Sequence, residues 1–318
     1  ISMDYKYNFS FIIPHKNLPE LLRRCVSSIP KRDDVQIIIV DDNSDPEIVD
    51  FEHFPFLGDK NVEVIFDKSG KRQGHARNLG IDRAEGKWLI FADSDDFFFY
   101  SINKALDENV NSDVDIVHFK ATVLNSETYL PYVKRCLPDD SVDRYLRGDR
   151  DGELYVRLRY PAPWGKLIRS SLVREHNIRF AEIERLEDMQ FSYQCGYYAK
   201  SIAVNDYSIY CYAQRPNTVT RTLESQSRLT LVKVDSDFMH FLSTKDLGNS
   251  PIYQDMKDDV FNNLEEMRKT QDTFYNQAIA YLKGLGFTNE FIDKNLKKQK
   301  VIDIKTSIAK HLSFIMRH

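Results

Sequence analysis

The chain has 318 residues, 42% of them hydrophobic, and a formal net charge of −4 at pH 7. That suits a globular protein with a sizeable core, organised as one large domain with an appendage or as two ordinary domains. The acid-leaning balance argues against a general nucleic-acid binder, so any basic function must be local. Cys25, Cys136, Cys195 and Cys211 are scattered and form no CxxC pair, which signals neither a zinc site nor a disulfide scaffold. No run approaches the roughly 18 apolar residues that cross a bilayer, and ISMDYKYNFS lacks the apolar centre of a signal peptide, so the expected location is cytoplasmic.

Residues 9 to 119 alternate short β-type runs with helical ones, the pattern of an α/β unit with a largely parallel sheet. FSFIIP is the first strand. Leu18, Leu21, Leu22, Cys25, Val26 and Ile29 then mark one stripe of a helix. VQIIIV (35 to 40) has the near-continuous apolarity of a strand covered on both faces. VEVIF (62 to 66), a helix over about 74 to 84, WLIFA (88 to 92) and DIVHF (115 to 119) continue the alternation. Residues 120 to 160 give mixed signals. WGKLIRSSLVREHN (164 to 177) and 187 to 199 read as helices, and YSIYCYA (207 to 213) as a strand. Beyond about 225 strand patterns vanish. The expected division is therefore 1–222, with a first half over 8–120 and a second over 121–222, followed by a helical region over 223–318.

Ligands of open α/β sheets bind beyond the carboxyl ends of the strands. Three strands here end in polar clusters: Pro14-His15-Lys16-Asn17, Asp41-Asp42-Asn43-Ser44 and Asp93-Ser94-Asp95-Asp96. Taken singly, such residues also cap helices and make turns. Three carboxylates within four residues repel one another and raise each other's pKa unless something positive lies between them. Asp93 and Asp95, two apart in an extended segment, share a side and suit Mg²⁺ or Mn²⁺. The ordinary alternative is a solvated turn before a helix starting near Ser101. Lys68, Lys71, Arg72, His75 and Arg77 cluster at a helix N-terminus, where an anion such as phosphate is favoured; a solvated loop is the ordinary reading. Neither GxGxxG nor GxxxxGK[ST] is present.

Together, FSFIIPHKN, IIIVDDNSD and GHARNLGIDRAEGKWLIFADSDD closely resemble family 2 of the nucleotide-sugar glycosyltransferases, inverting enzymes of GT-A fold, a Rossmann-like α/β architecture. The resemblance is strong over residues 8 to 120 and looser to about 222. It implies that Asp42 accepts a hydrogen bond from the nucleobase in a pocket shaped by Pro14, Asn17 and Asp41. It further implies that Arg77 helps hold the nucleotide, that Asp93 lies near ribose or pyrophosphate, and that Asp95 ligates a Mn²⁺ or Mg²⁺ bridging the diphosphate. Asp96 would support these groups or touch the donor sugar. LEDMQF resembles the acceptor half, in which a Glu-Asp pair opens a helix: Glu187 with Asp188 as catalytic base. Acidic residues in a helix's first turn are also common for electrostatic reasons alone. YCYAQRPNTVTR is similar to a segment that closes over the donor, making Arg215 and Thr218 candidates for diphosphate contacts. Trp164 reads equally as a sugar-stacking ring or as core. Two departures stand out, Lys16 where the family usually has an aromatic residue, and the uncommon His15.

The partners implied are a nucleotide-sugar donor, UDP-linked by expectation, and a saccharide or lipid-linked saccharide acceptor of surface-polysaccharide or lipopolysaccharide synthesis. A lipid-linked acceptor would suit the basic, amphipathic stretch from Lys294 to His318, which reads either as a peripheral membrane contact or as a solvated helix. The competing classes are a non-catalytic relative that binds nucleotide or glycan as an assembly module, and a nucleotidyltransferase. The latter calls for a Gly-rich, Arg-bearing loop after the first strand, which PHKN is not.

Overall fold

A computed structural model describes residues 5–131, 137–215 and 225–299. The chain divides into two compact units, 1–218 and 219–318.

The first unit carries one sheet. Its opening strands are β1 (Tyr7–His15), β2 (Val35–Asp42), β3 (Val62–Asp67) and β4 (Gly86–Phe91). They pair in parallel in the order β3-β2-β1-β4, so their carboxyl ends share one edge. Helices α1 (Pro19–Ser27) and α2 (Arg72–Arg83) connect them, and a two-residue strand β5 (Phe97–Phe98) precedes α3 (Ile102–Asn109). Beyond lie β6 (Ile116–Asn125), α4 (Leu137–Leu146), α5 (Gly152–Leu158), β7 (Lys166–Arg169), α6 (Ser170–Glu175), α7 (Glu187–Tyr198) and β8 (Ile202–Gln214). The eight strands run β3-β2-β1-β4-β7-β6-β8-β5, with β7 antiparallel to both neighbours and β6 parallel to β8.

The central strands β1, β2 and β4 are mostly apolar because both faces are covered, and the buried polar exceptions short of their carboxyl ends, Ser10 and Gln36, bond to each other at 2.6 Å. Phe9, Phe11 and Ile13 of β1 pack on one side with Leu22, Cys25 and Val26 of α1 and Ala105 and Leu106 of α3. Ile12 faces the other way, with Ala76 and Ile81 of α2, Val173 of α6 and Phe191 of α7. Fully burying one such side chain contributes about 1.5–3 kcal/mol, so this two-sided layer fixes where the strand ends emerge.

The expected helix over 164 to 177 is corrected. Residues 166–169 form β7, and only 170–175 are helical. Leu167 and Ile168 serve both patterns, and the register with β4 (Leu89↔Ile168) and β6 (Val117↔Leu167) decides. The mixed stretch resolves into the end of β6, α4 and α5.

The second unit contains α8 (Ser225–Thr244), α9 (Pro251–Lys269), α10 (Tyr275–Gly284) and helical residues 289–299. Ser250 caps α9 by accepting the Tyr253 N–H at 3.2 Å, with Pro251 in the first turn. Met239, Leu242, Met256, Val260, Leu264, Ala278 and Leu282 are buried. Most of the basic tail, from residue 300 onward, lies outside the described residues. Among the described residues no helix is long and apolar enough to cross a membrane. Cys25, Cys195 and Cys211 are buried and free.

Candidate active site

All three polar clusters lie at the carboxyl edge of β1, β2 and β4. Pro14 and His15 end β1, and His15 pairs in register with Asp41 of β2. His15 Nδ1 lies 2.8 Å from Asp41 Oδ2, while its Nε2 accepts the Leu18 N–H at 3.1 Å. Asp41 also accepts the Ser44 N–H at 3.0 Å and the Ser44 hydroxyl at 2.5 Å. Ser44 Oγ in turn accepts the Asn17 N–H at 2.9 Å, and Asn17 Oδ1 accepts the Asp45 N–H at 2.7 Å. Burial alone would push the Asp41 carboxyl up, but the hydrogen bonds from His15 and Ser44 outweigh it and hold its pKa below the usual value. Asn17 and Asn43 adopt left-handed φ of 56° and 54°, a conformation Asn tolerates. Asp42 accepts the Arg72 N–H at 3.0 Å and faces Lys16 Nζ at 3.4 Å. Pro14, Asn17 and Asp41 are therefore spent on shaping this corner, and Asp42 is covered by a half-exposed lysine.

The acidic turn after β4 gives each carboxylate its own partner. Arg77 donates to Asp93 Oδ1 at 2.6 Å, and Arg215 lies 2.8 Å from Asp95 Oδ2. Asp96 is fully buried; it accepts the Tyr210 hydroxyl at 2.7 Å and the Ala213 N–H at 2.8 Å. Burial, followed by the charges of Asp95 and Asp93, pushes the Asp96 carboxyl well up. Asp95 is raised for the same reasons, against the pull of Arg215. Both Asp96 oxygens are engaged by Tyr210 and Ala213 and anchor β8 beneath the turn. Tyr210 completes that anchor by accepting the Asp93 N–H at 2.9 Å. Mutual repulsion by itself does not call for a metal here, because α2 and β8 bring the compensating groups.

Arg77, expected to help hold the nucleotide, is 2% exposed. Its second terminal nitrogen donates to Glu187 at 2.6 Å, and its guanidinium lies 5.2 Å from the Phe180 ring. Burial disfavours the charge, but Asp93, Glu187 and Asp188 raise the pKa of the guanidinium above its ordinary value. Gly74 makes the approach possible, since a Cβ there would collide with the Ala181 carbonyl and crowd Glu187. Arg77 therefore ties the acidic turn to the start of α7.

Leu186, the residue before α7, has φ of 64°, a strained position for a leucine. It turns Glu187 inward, where it is 2% exposed, and leaves Asp188 half-buried beside it. Burial, then the charges of Glu187 and Asp93, push the Asp188 carboxyl up to about 7, with Arg77 opposing.

The remaining candidates separate. Trp164 is buried and stacked on Tyr210 at 5.0 Å and Tyr212 at 6.1 Å, which places it in the core. The basic cluster disperses: Arg72 pairs with Glu184 at 2.7 Å, His75 with Glu182 at 2.7 Å, and Lys68 lies 4.1 Å from the Phe51 ring. Thr218 lies outside the described residues. Tyr210 was invisible to sequence reading, because only the pairing of Phe98 with Tyr210 across β5 and β8 brings it under the turn.

Asp93 and Asp95 retain side chains 28% and 21% exposed. Among the described residues no three His, Cys, Asp or Glu side chains form a metal cage. A hard octahedral cation needs no cage when diphosphate oxygens and water complete its shell, and these two partly exposed carboxylates fit that smaller requirement.

Residues 10–199 match the profile of Glycosyl transferase family 2. EpsH of Bacillus subtilis, itself named only provisionally as a glycosyltransferase, is 24% identical over 278 residues, covering 83% of this chain and 73% of EpsH. Glycosyltransferase GlyG of Streptococcus pneumoniae is 23% identical, covering 67% of this chain and 73% of GlyG. Poly(ribitol-phosphate) β-N-acetylglucosaminyltransferase TarS of Staphylococcus aureus is 26% identical over 65% of this chain and 35% of TarS. The crystal structure of TarS 1–349 with UDP-GlcNAc superposes with a TM-score of 0.58 at 19% identity, covering 82% of this chain and 72% of that one. The shared fold is GT-A, and with the family profile spanning more than half of its length the chain belongs to glycosyltransferase family 2.

Proposed function

We propose that this glycosyltransferase moves a sugar from a UDP-linked donor to a saccharide or lipid-linked saccharide acceptor, inverting the anomeric carbon, in surface-polysaccharide synthesis. The observation that carries the reading is Asp188, a half-buried carboxylate with its pKa pushed up to about 7, tied through Glu187 and Arg77 to Asp93 of the acidic turn. The UDP-GlcNAc complex of TarS supports a UDP-linked donor, and the name of TarS, a poly(ribitol-phosphate) β-N-acetylglucosaminyltransferase, supports a polymeric acceptor.

Asp188 takes the proton of the acceptor hydroxyl as its oxygen bonds to the anomeric carbon. The bond from that carbon to the diphosphate oxygen breaks on the opposite face, and the electron pair leaves with the nucleoside diphosphate. A base with a pKa near the working pH is both deprotonated and strong enough to accept that proton. Asp95 and Asp93 would hold Mg²⁺ or Mn²⁺, which when bound supplies neutralisation of charge growing on the diphosphate. What supports a divalent ion is that Asp93 and Asp95, though each pairs with an arginine, keep side chains 28% and 21% exposed at the strand edge, where diphosphate oxygens could complete the ion's shell.

The test is nucleotide release from UDP-, GDP- and dTDP-sugars with Mn²⁺ and a mixed saccharide acceptor pool. Release from a UDP-sugar that depends on Mn²⁺ and on Asp188 is expected. Silence with every donor overturns the reading.

A further inference from the structure

We propose that His15 is a positioning residue for donor binding, an inference that rests on the nucleotide-sugar reading above. His15 is 1% exposed and contacts the outside through nothing of its own. Its role lies in what it closes. The bonds His15 to Asp41, Asp41 to Ser44, Ser44 to Asn17, and Leu18 back to His15 form a ring that stitches the exit of β1 to the exit of β2. With Nε2 accepting the Leu18 N–H, Nδ1 is the ring nitrogen that donates to Asp41.

The ring has two members that it does not use. Lys16 sits between His15 and Asn17, and Asp42 between Asp41 and the Asn43-Ser44 bend. Each is thus held on both sides by residues whose polar groups are engaged, and the two face each other at 3.4 Å. Buried polar networks that are fully satisfied hold one geometry, where an apolar corner would tolerate several. His15 also lies edge-on to Phe54 at 5.4 Å, which fixes the plane of its ring. Asp42, which the family resemblance assigns to the nucleobase, and Lys16 beside it are thereby presented on a rigid mount.

The experiment measures binding of the tightest of UDP, GDP and dTDP, and separately of inorganic pyrophosphate, by calorimetry with Mn²⁺. His15→Phe keeps the ring shape and removes both nitrogens, while His15→Asn restores a donor toward Asp41. Expected is about tenfold weaker nucleotide binding in His15→Phe, which loses both ring hydrogen bonds, with pyrophosphate unchanged and partial recovery in His15→Asn. Ser44→Ala opens the same ring without touching the imidazole and is expected to weaken nucleotide binding alone as well. In turnover the donor KM rises and kcat stays. Nucleotide affinity unchanged in both ring-opening variants, or nucleotide and pyrophosphate weakening together, overturns the proposal. A wild-type chain that binds pyrophosphate but no nucleotide overturns the donor reading itself, a result distinguishable from either.

Discussion

The two ends of the candidate site are built on opposite principles. At the exits of β1 and β2, carboxylate, imidazole, hydroxyl and backbone groups satisfy one another, and the Asp41 pKa falls below its usual value. At the acidic turn and the start of α7, carboxylates outnumber guanidiniums and the pKa values of Asp95, Asp96 and Asp188 rise. The first corner is at rest without a ligand. The second is held together against repulsion, which is the condition in which a proton, a cation or an anionic substrate can change the balance. Shape is stored at one end and reactivity at the other.

The largest expected effect breaks the second end. Asp188→Asn lowers kcat by about 10²- to 10⁴-fold while donor binding stays. The same change raises thermal stability at pH 8. A carboxyl whose folded pKa is raised stabilises the fold fully below its unfolded pKa, and that contribution is lost as pH rises through about 7. The gain in Tm over wild type therefore shrinks toward pH 5, and a Tm difference independent of pH contradicts the assignment. Wild-type kcat falls about tenfold per pH unit below about 7, as expected of a base that must be deprotonated.

Arg77→Ala leaves Asp93 and Glu187 without their shared cation in the interior. Urea unfolding is expected to show a loss of about 3–5 kcal/mol, the cost of breaking a buried ion pair from one side. Tyr210→Phe removes the donor to Asp96 and the acceptor of the Asp93 N–H, with an expected loss of about 1–3 kcal/mol. Arg215→Ala sharpens the contrast. Its pair with Asp95 is partly solvated, so stability changes by about 1 kcal/mol or less, while donor affinity falls. Equal stability losses from Arg77→Ala and Arg215→Ala would erase the distinction between clamp and contact.

Much of this was legible in the chain. The parallel strands announce themselves because strands covered on both faces must be mostly apolar, and polar residues at their ends then have one edge to share. The Glu-Asp pair was legible as a helix start, though not the division of labour in which Glu187 goes inward to Arg77. The burial of Arg77 and Asp96 was not legible, because a charge count contains no burial. Trp164 could not be assigned from sequence, since its stacking partners Tyr210 and Tyr212 come from a strand more than forty residues away.

What the sequence determined by itself is the local part of the first half: which segments between 9 and 119 are strands or helices by period, and which residue types stand where those strands stop. What the tertiary structure alone decided is who faces whom. Strand β7 exists because β4 and β6 leave a gap that Leu167 and Ile168 fill, and Asp93 meets Glu187 because Gly74 lets α2 approach α7. The reason is that backbone periodicity is a property of neighbours along the chain. The pKa of a carboxylate is instead a property of neighbours in space, set by burial and by charges that folding brings from far away.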